Sequence, residues 1–451
     1  MKKIGFLSFG HWTPSPQSQT RSAADTLLQS IDLAVAAEEL GADGAYFRVH
    51  HFARQLASPF PLLAAVGAKT SRIEIGTAVI DMRYENPLYM IEDAGAADLI
   101  AGGRLQLGIS RGSPEQVIDG WRYFGYRPAE GQSDGDMGRR HAEVFLDLLR
   151  GEGFAQPNPQ PMFPNPPGLL RLEPHSRGLR ERIWWGAGSN ATAAWAAQLG
   201  MNLQSSTLKN DETGEPFHVQ QAAQIRAYRA AWREAGHARE PRVSVSRSIF
   251  ALIDDRDRAY FGGGGESEDQ IGFIDPRTRA IFGKSYAAEP DVLVEQLRGD
   301  EAIAEADTLL LTIPNQLGVA YNVHAIESIR RWGGADEAAA GRASLHRHGI
   351  MERGAAGAVV LRAAHPKRER VGARARRRGV DVVAAFPQPD PATRRLRHQQ
   401  QPLERQVRAA KTAERRFAGR TGLDRNVHRP FGVMGQLVGP HAAAHFRLRR
   451  L

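Results

Sequence analysis

The stretch from Arg72 to Pro114, RIEIGTAVIDMRYENPLYMIEDAGAADLIAGGRLQLGISRGSP, constrains the fold more than any other. Ile73, Ile75, Ala78, Val79 and Ile80 form a short apolar run, the mark of a strand buried on both faces. Asn86-Pro87 punctuates the turn, with the proline suited to the first helical position. Leu88, Ile91, Ala94, Ala97, Asp98 and Ile100 then keep a helical period that stops at Gly102-Gly103. Leu105, Leu107 and Ile109 make a second buried strand, which ends in Ser110-Arg111-Gly112. Two parallel strands joined by a helix are a βαβ unit, and parallel sheets bind ligands at the carboxyl ends of their strands.

The same alternation runs through the chain. Strands are expected at Ile4–Phe9, Gly44–Val49, Arg182–Gly186, Met201–Gln204, Arg242–Ile253 and Asp307–Ile313. Helices are expected at Ser22–Leu40, Pro61–Lys69, Arg139–Arg150, Ala191–Leu199, Phe217–Ala235, Asp291–Arg298 and Tyr321–Arg330. Eight strands, nearly all separated by helices within about 330 residues, argue for a TIM (β/α)8 barrel over an open doubly wound sheet. No GxGxxG follows the first strand, which also disfavours a dinucleotide-binding fold. Two stretches break the rhythm: a proline-rich loop from Gln156 to Pro174, and Asp254 to Ala288, which holds four consecutive glycines, Gly262 to Gly265. The glycine run reads as a mobile lid or as an idle loop.

The formal net charge of +9 would raise nucleic acid or an anionic membrane as partners, but its distribution argues otherwise. From Asp336 onward 25 Lys and Arg face 9 Asp and Glu, which leaves the preceding residues near −7. The barrel is therefore assigned to residues 1–332 and a separate tail to 333–451. That tail is rich in Arg, Ala and Gly, poor in Lys, and without helical or strand period. It reads as a disordered extension or as the product of an out-of-frame message, in preference to a basic nucleic-acid arm. The chain has no cysteine, so disulfide and thiol chemistry are excluded, in keeping with a cytoplasmic location. Lys2-Lys3 precede an apolar run too short for a signal-peptide core, and no run is long enough to span a bilayer.

At the strand ends, His50-His51 offers imidazoles for proton transfer. A metal site with His11, His50 and His51 is the weaker alternative, because the later strand ends supply few ligands. Arg111 suits an anion, with Gly112 allowing close approach. Gly186-Ala187-Gly188-Ser189-Asn190-Ala191-Thr192 is a strand-to-helix turn that reads as an anion cradle or as an ordinary helix cap.

GTAVI, the NP-led helix with Glu92-Asp93, GGRLQLG, SRG and the VHHF of residues 49–52 resemble the bacterial luciferase-like family of flavin-dependent oxidoreductases, from Lys3 to about Ile329. The resemblance implies the following. His50 takes the family's catalytic histidine position, although Val49 replaces the usual glutamate. Ala78-Val79 is a non-prolyl cis peptide against the flavin ring. Ser110 stands where luciferase has a reactive but dispensable cysteine. Arg111, Ser189 and Thr192 meet the flavin phosphate, the latter two in a cofactor-binding turn where Gly188 stands in place of an often acidic residue. The cofactor is reduced FMN, supplied by a separate NAD(P)H:flavin reductase. Oxygen adds at C4a to give a peroxyflavin, which oxygenates an aldehyde, ketone or other small apolar substrate. A homodimer is implied as well. A deazaflavin coenzyme transferring hydride in the same barrel, or a flavin-binding protein without turnover, are the alternatives.

Overall fold

The computed structural model describes residues 2–112, 116–263, 267–275 and 278–331. The tail at 333–451 and part of the glycine run, Gly264 and Gly265, lie outside the described residues.

Eight parallel strands close into a barrel in chain order: β1 (Lys3–Ser8), β2 (Gly44–Phe47), β3 (Glu74–Thr77), β4 (Leu105–Ser110), β5 (Ile183–Gly186), β6 (Asn202–Ser205), β7 (Val243–Arg247) and β8 (Thr308–Ile313). Closure is direct, since β8 runs beside β1 from Lys3↔Thr308 to Ser8↔Ile313, and β3 meets β4 at Ile75↔Leu105 and Gly76↔Gln106. The third strand is shorter than its apolar run predicts. It breaks at Ala78-Val79, a cis peptide bond, and resumes as Ile80–Asp81 beside Ile109 and Ser110.

Helices α1 (Ala23–Glu39), α2 (Pro59–Lys69), α3 (Pro87–Ile100), α4 (Asp134–Leu148), α5 (Asn190–Gln198) and α6 (Phe217–Glu234) alternate with the strands. Local chemistry sets where they start. Ser22 and Asp25 form a reciprocal capping box on α1, Ser133 and Asp136 do the same on α4, and the Asn86 carboxamide oxygen accepts from Leu88 N at 2.9 Å ahead of Pro87. Their apolar faces pack on the outer surface of the barrel, where Phe6, Phe47, Ile75, Leu107, Ile183, Leu203 and Val245 are buried.

After β7 the chain leaves the barrel. The strand expected over Arg242–Ile253 is two strands: its second piece, Ile249–Ala251, pairs with Tyr286–Ala288 instead of a barrel neighbour. Between them lie α7 (Asp255–Phe261) and the antiparallel strands Gln270–Asp275 and Thr278–Phe282, the latter also pairing with Leu208–Asn210. The chain returns through α8 (Pro290–Arg298) and α9 (Glu301–Glu305) to β8, and residues 318–331 are helical.

The inside of the barrel is graded. Toward the amino ends of the strands it holds a polar network: Glu74 takes Arg242 (2.9 Å) and Lys3, and Trp184 donates to Gln106 at 2.9 Å. Leu7, Tyr46 and Leu310 pack above it against Phe9 and Ala78. Higher still, glycine replaces bulk. A Cβ on Gly108 would lie 2.4 Å from Gln204 Oε1, so glycine there lets the Gln204 side chain reach across and donate to Thr77 O at 3.0 Å. Bulk below and small residues above leave an opening at the carboxyl ends of the strands.

Candidate active site

A cleft with about 780 Å3 of empty space, counted out to the open solvent, occupies that opening. His50 and Arg48 reach it from the end of β2, Ala78, Val79 and Asp81 from the broken third strand, and Ser110 and Gly112 from β4. Gly186, Ala187 and Gly188 line it at the end of β5, and Gln204 and Ser206 at the end of β6. Of the residues singled out in the sequence, the fold thus brings together His50, Ala78, Val79, Ser110 and Gly188.

The others stand apart from the lining. Arg111 follows Ser110 by one residue and, as strand alternation requires, turns the other way; its Cδ would lie 3.3 Å from a Cβ on Gly135 of α4. Ser189 is the N-cap of α5 and forms a capping box with Thr192, so both hydroxyls already bond within the turn. Asn190 N donates to the Glu212 carboxylate at 3.2 Å, which places an acidic group at this helix start. Ser110 Oγ accepts from Gly112 N at 2.9 Å and shapes the turn after β4.

His50 is half-buried, its ring makes no hydrogen bond among the described residues, and burial pulls its pKa down to about 3, with Arg48, His11 and His51 adding to the effect. It is therefore a neutral imidazole at pH 7. Stability follows from this by linkage. The unfolded chain takes a proton at His50 below about pH 6.5, whereas the folded one refuses it down to about 3. Stability is full above that window and falls as pH drops through it. Acidifying from pH 7 to 5 should cost about 1–2 kcal/mol through this residue. Urea midpoints at both values should show the loss shrinking by that amount in His50→Gln. An identical loss in both proteins would remove His50 as its source.

His51 does not join it. Its ring stacks on Tyr84 with centroids 4.3 Å apart, and burial lowers its pKa while Asp81 opposes this. His11 stacks on Phe9 at 5.7 Å. Among the described residues, the His, Asp and Glu atoms close enough to share a metal are those of Asp254, Asp257 and His324, beyond β7 and away from this cleft. The Asp257 carboxylate there is already engaged by Tyr321, His324 and two backbone N–H groups.

Three lining residues had no motif to announce them. Asp81 is gripped by Arg83, Nη2 to Oδ2 at 2.6 Å, and Arg83 also holds Asp134 at 2.6 Å. Gln204 Oε1 is buried and unpartnered among the described residues. Arg48 lies two residues before His50, and that spacing was its available signal.

A family model described as luciferase-like monooxygenase matches residues 7–260. The alkanal monooxygenase alpha chain of Photorhabdus luminescens is 25% identical over 238 residues, 51% of this chain and 60% of that one. An uncharacterised protein of Sinorhizobium fredii is 30% identical over 205 residues, 45% of this chain and 56% of its own length. An uncharacterised protein of Bacillus subtilis is 26% identical over 246 residues, 53% of this chain and 66% of its own. The match thus spans between 56% and 66% of these relatives. In fold, the chain is similar to the FMN-bound oxygenating constituent of 3,6-diketocamphane monooxygenase from Pseudomonas putida, with a TM-score of 0.53 at 18% identity over 73% of this chain and 97% of that one. With more than half of its length under the family model, and with a closed parallel barrel to match, the chain belongs to the luciferase-like monooxygenase family.

Proposed function

We propose that this protein is a flavin-dependent monooxygenase that takes reduced FMN from a separate reductase and oxygenates a small substrate with O2, working as a homodimer in the cytoplasm. The observation that supports it is the cleft itself, where His50, Ala78, Val79, Ser110 and Gly188 converge from separate strand ends. A tricyclic ring would lie against Ala78 and Val79 with its edge toward Gly188. A Cβ on Gly188 would stand in open space, with only Asn210 Oδ1 at 3.8 Å, so the absent side chain leaves room there. Gln204 Oε1 offers an unmet acceptor to an N–H group.

Reduced FMN, when bound, supplies the electrons that activate dioxygen. The chain's own part is placement and dryness. Val79 and Ala78 present an apolar face, Leu7, Leu208 and Leu310 keep water out, and His50, a neutral imidazole at pH 7, bonds to a substrate oxygen or relays a proton by accepting at one ring nitrogen while donating from the other. Ser189 and Thr192 are assigned to the phosphate end, where the anion would compete with Glu212 for the start of α5, and Arg111, which lies against Gly135 of α4, would have to swing round to join them.

Anaerobic fluorescence titration with reduced FMN and with a reduced deazaflavin, followed by admission of oxygen, tests the reading. Saturable FMN binding, and reoxidation at a rate distinct from free FMN, is the expected result. Preference for the deazaflavin with no response to oxygen would move the assignment to hydride transfer.

A further inference from the structure

Across the barrel from Ala78-Val79 the cleft changes character. In the closed strand order β3 and β7 are four strands apart in either direction, so Ser246, near the end of β7, faces the broken third strand. The register Ser246↔Leu310 sets Leu310 of β8 beside it, and Leu7 of β1 follows before His50 of β2 is reached. On the other side of Ser246, the pairs Gln204↔Ser244 and Ser205↔Val245 lead on to Ser206. An apolar strip, Leu310 and Leu7, thus runs between two hydroxyls and an imidazole.

Both hydroxyls are uncommitted. The main-chain oxygens of Ser206 and Ser246 accept from Gln221 Nε2 at 2.7 Å and Arg247 Nη1 at 2.9 Å, but their side chains make no hydrogen bond among the described residues. Neighbouring serines differ. Ser205, turned out of the barrel, donates to Gln224 Oε1 at 2.8 Å, and Ser110 Oγ accepts from Gly112 N at 2.9 Å. Ser246 is only 6% exposed, so its hydroxyl has the cleft before it rather than open solvent. A hydroxyl so placed favours a ligand that bonds to it over one that merely covers it. The charged groups of the lining are engaged already: Arg83 bonds to both Asp81 carboxylate oxygens, and Arg48 lies over the Phe9 ring at 4.6 Å.

A flavin ring resting on Ala78 and Val79 would turn its other face toward Ser246, which leaves the substrate between that face and the strip. We infer that the substrate is an uncharged molecule with two oxygen functions. Its apolar body lies over Leu310 and Leu7, a carbonyl oxygen meets His50, and a hydroxyl or second carbonyl bonds to Ser246 and Ser206. The inference rests on the flavin reading for the placing of the ring.

The test uses the full chain with oxidised FMN and paired probes: straight-chain methyl ketones of increasing length, each compared with the same ketone carrying a terminal hydroxyl. Binding is followed by ligand-observed NMR and calorimetry in wild type, Ser246→Ala, Ser206→Ala and the double variant. At the chain length that spans the strip, the hydroxyketone should bind wild type at least about 10-fold more tightly than its parent, as one or two hydrogen bonds would give. The preference should shrink in each single variant and vanish in the double one, with FMN affinity unchanged throughout. Failure of every ketone to bind, equal binding of each pair at all lengths, or a preference that survives the double variant overturns the inference. So does a loss of FMN affinity in Ser246→Ala without any ketone present, because the hydroxyl would then serve the cofactor. A hydroxyketone preference that vanishes in the double variant of a protein that binds no FMN would support the two serines as the oxygen site and sink the flavin reading alone.

Discussion

Asp300→Ala should lower the unfolding free energy by about 3–5 kcal/mol, the cost of leaving a buried charge without its partner. Arg247 at the end of β7 and Asp300 at the start of α9 are 2% and 0% exposed and meet at 2.7 Å (Nε to Oδ2) and 3.0 Å (Nη2 to Oδ1). Asp300 also accepts from the Tyr286 hydroxyl at 2.8 Å and from Ile303 N at 3.0 Å. One carboxylate thus ties the barrel to the segment that leaves it after β7. Burial raises the carboxyl's pKa, but Arg247 and these hydrogen bonds outweigh it, and the pKa settles below the usual range. The stabilisation is therefore present above about pH 4 and lost as pH falls through the depressed value, so wild type and variant should converge in acid. Denaturant midpoints at pH 7 and pH 3 would show both effects. Arg247→Met with Asp300→Leu should recover most of the loss, because no charge then stays buried alone. A single-variant cost under about 1 kcal/mol would mean that water reaches Arg247.

The second large effect concerns binding. Gly188→Trp should reduce flavin affinity at least about 100-fold, because the indole would fill the space that a ring must enter. The fold should tolerate it: a Cβ at Gly188 meets nothing closer than 3.8 Å. A melting temperature within a few degrees of wild type, together with lost flavin fluorescence quenching, is the expected pair of results. Unchanged flavin affinity would place the cofactor elsewhere.

The barrel was legible because burial on both faces and helix caps leave strong marks in a sequence. The strand Glu74–Thr77, α3 with Asn86-Pro87, and β4 ending at Ser110 all follow from apolar runs and turn residues, although the break at Ala78-Val79 left no mark in the run. What the pattern does not carry is the choice of pairing partner. Ile249–Ala251 is as apolar as the strand before it, yet it pairs with Tyr286–Ala288. The sheet of Leu208–Asn210, Thr278–Phe282 and Gln270–Asp275 joins segments some seventy residues apart, a non-local relation that no local period encodes. At the site, position along a strand was readable, and it put His50, Ser110 and Gly188 at the cleft. Side-chain direction separated Ser110 from Arg111, and it follows from the alternation of a strand. Gln204 was beyond reach, because its meaning depends on Gly108 and Thr77 across the barrel.

The glycine- and alanine-lined floor has a bearing on how such a protein could be retargeted. Ala78, Ala187, Gly186 and Gly188 present mostly main chain to whatever lies on them, and Gln204 is fixed by its reach to Thr77. Main chain cannot be exchanged by mutation, so this seat reads the same for any sequence that keeps the barrel. Arg48, His50 and Ser206 stand just past the ends of their strands, at the mouth, where a side chain can change without disturbing the ladder. Under the proposed function, cofactor retention and substrate choice fall on different parts of the molecule. A library confined to Arg48 and Ser206, with His50 kept, should yield folded, flavin-competent variants with new preferences, whereas the same diversity placed in the floor should yield mostly empty barrels.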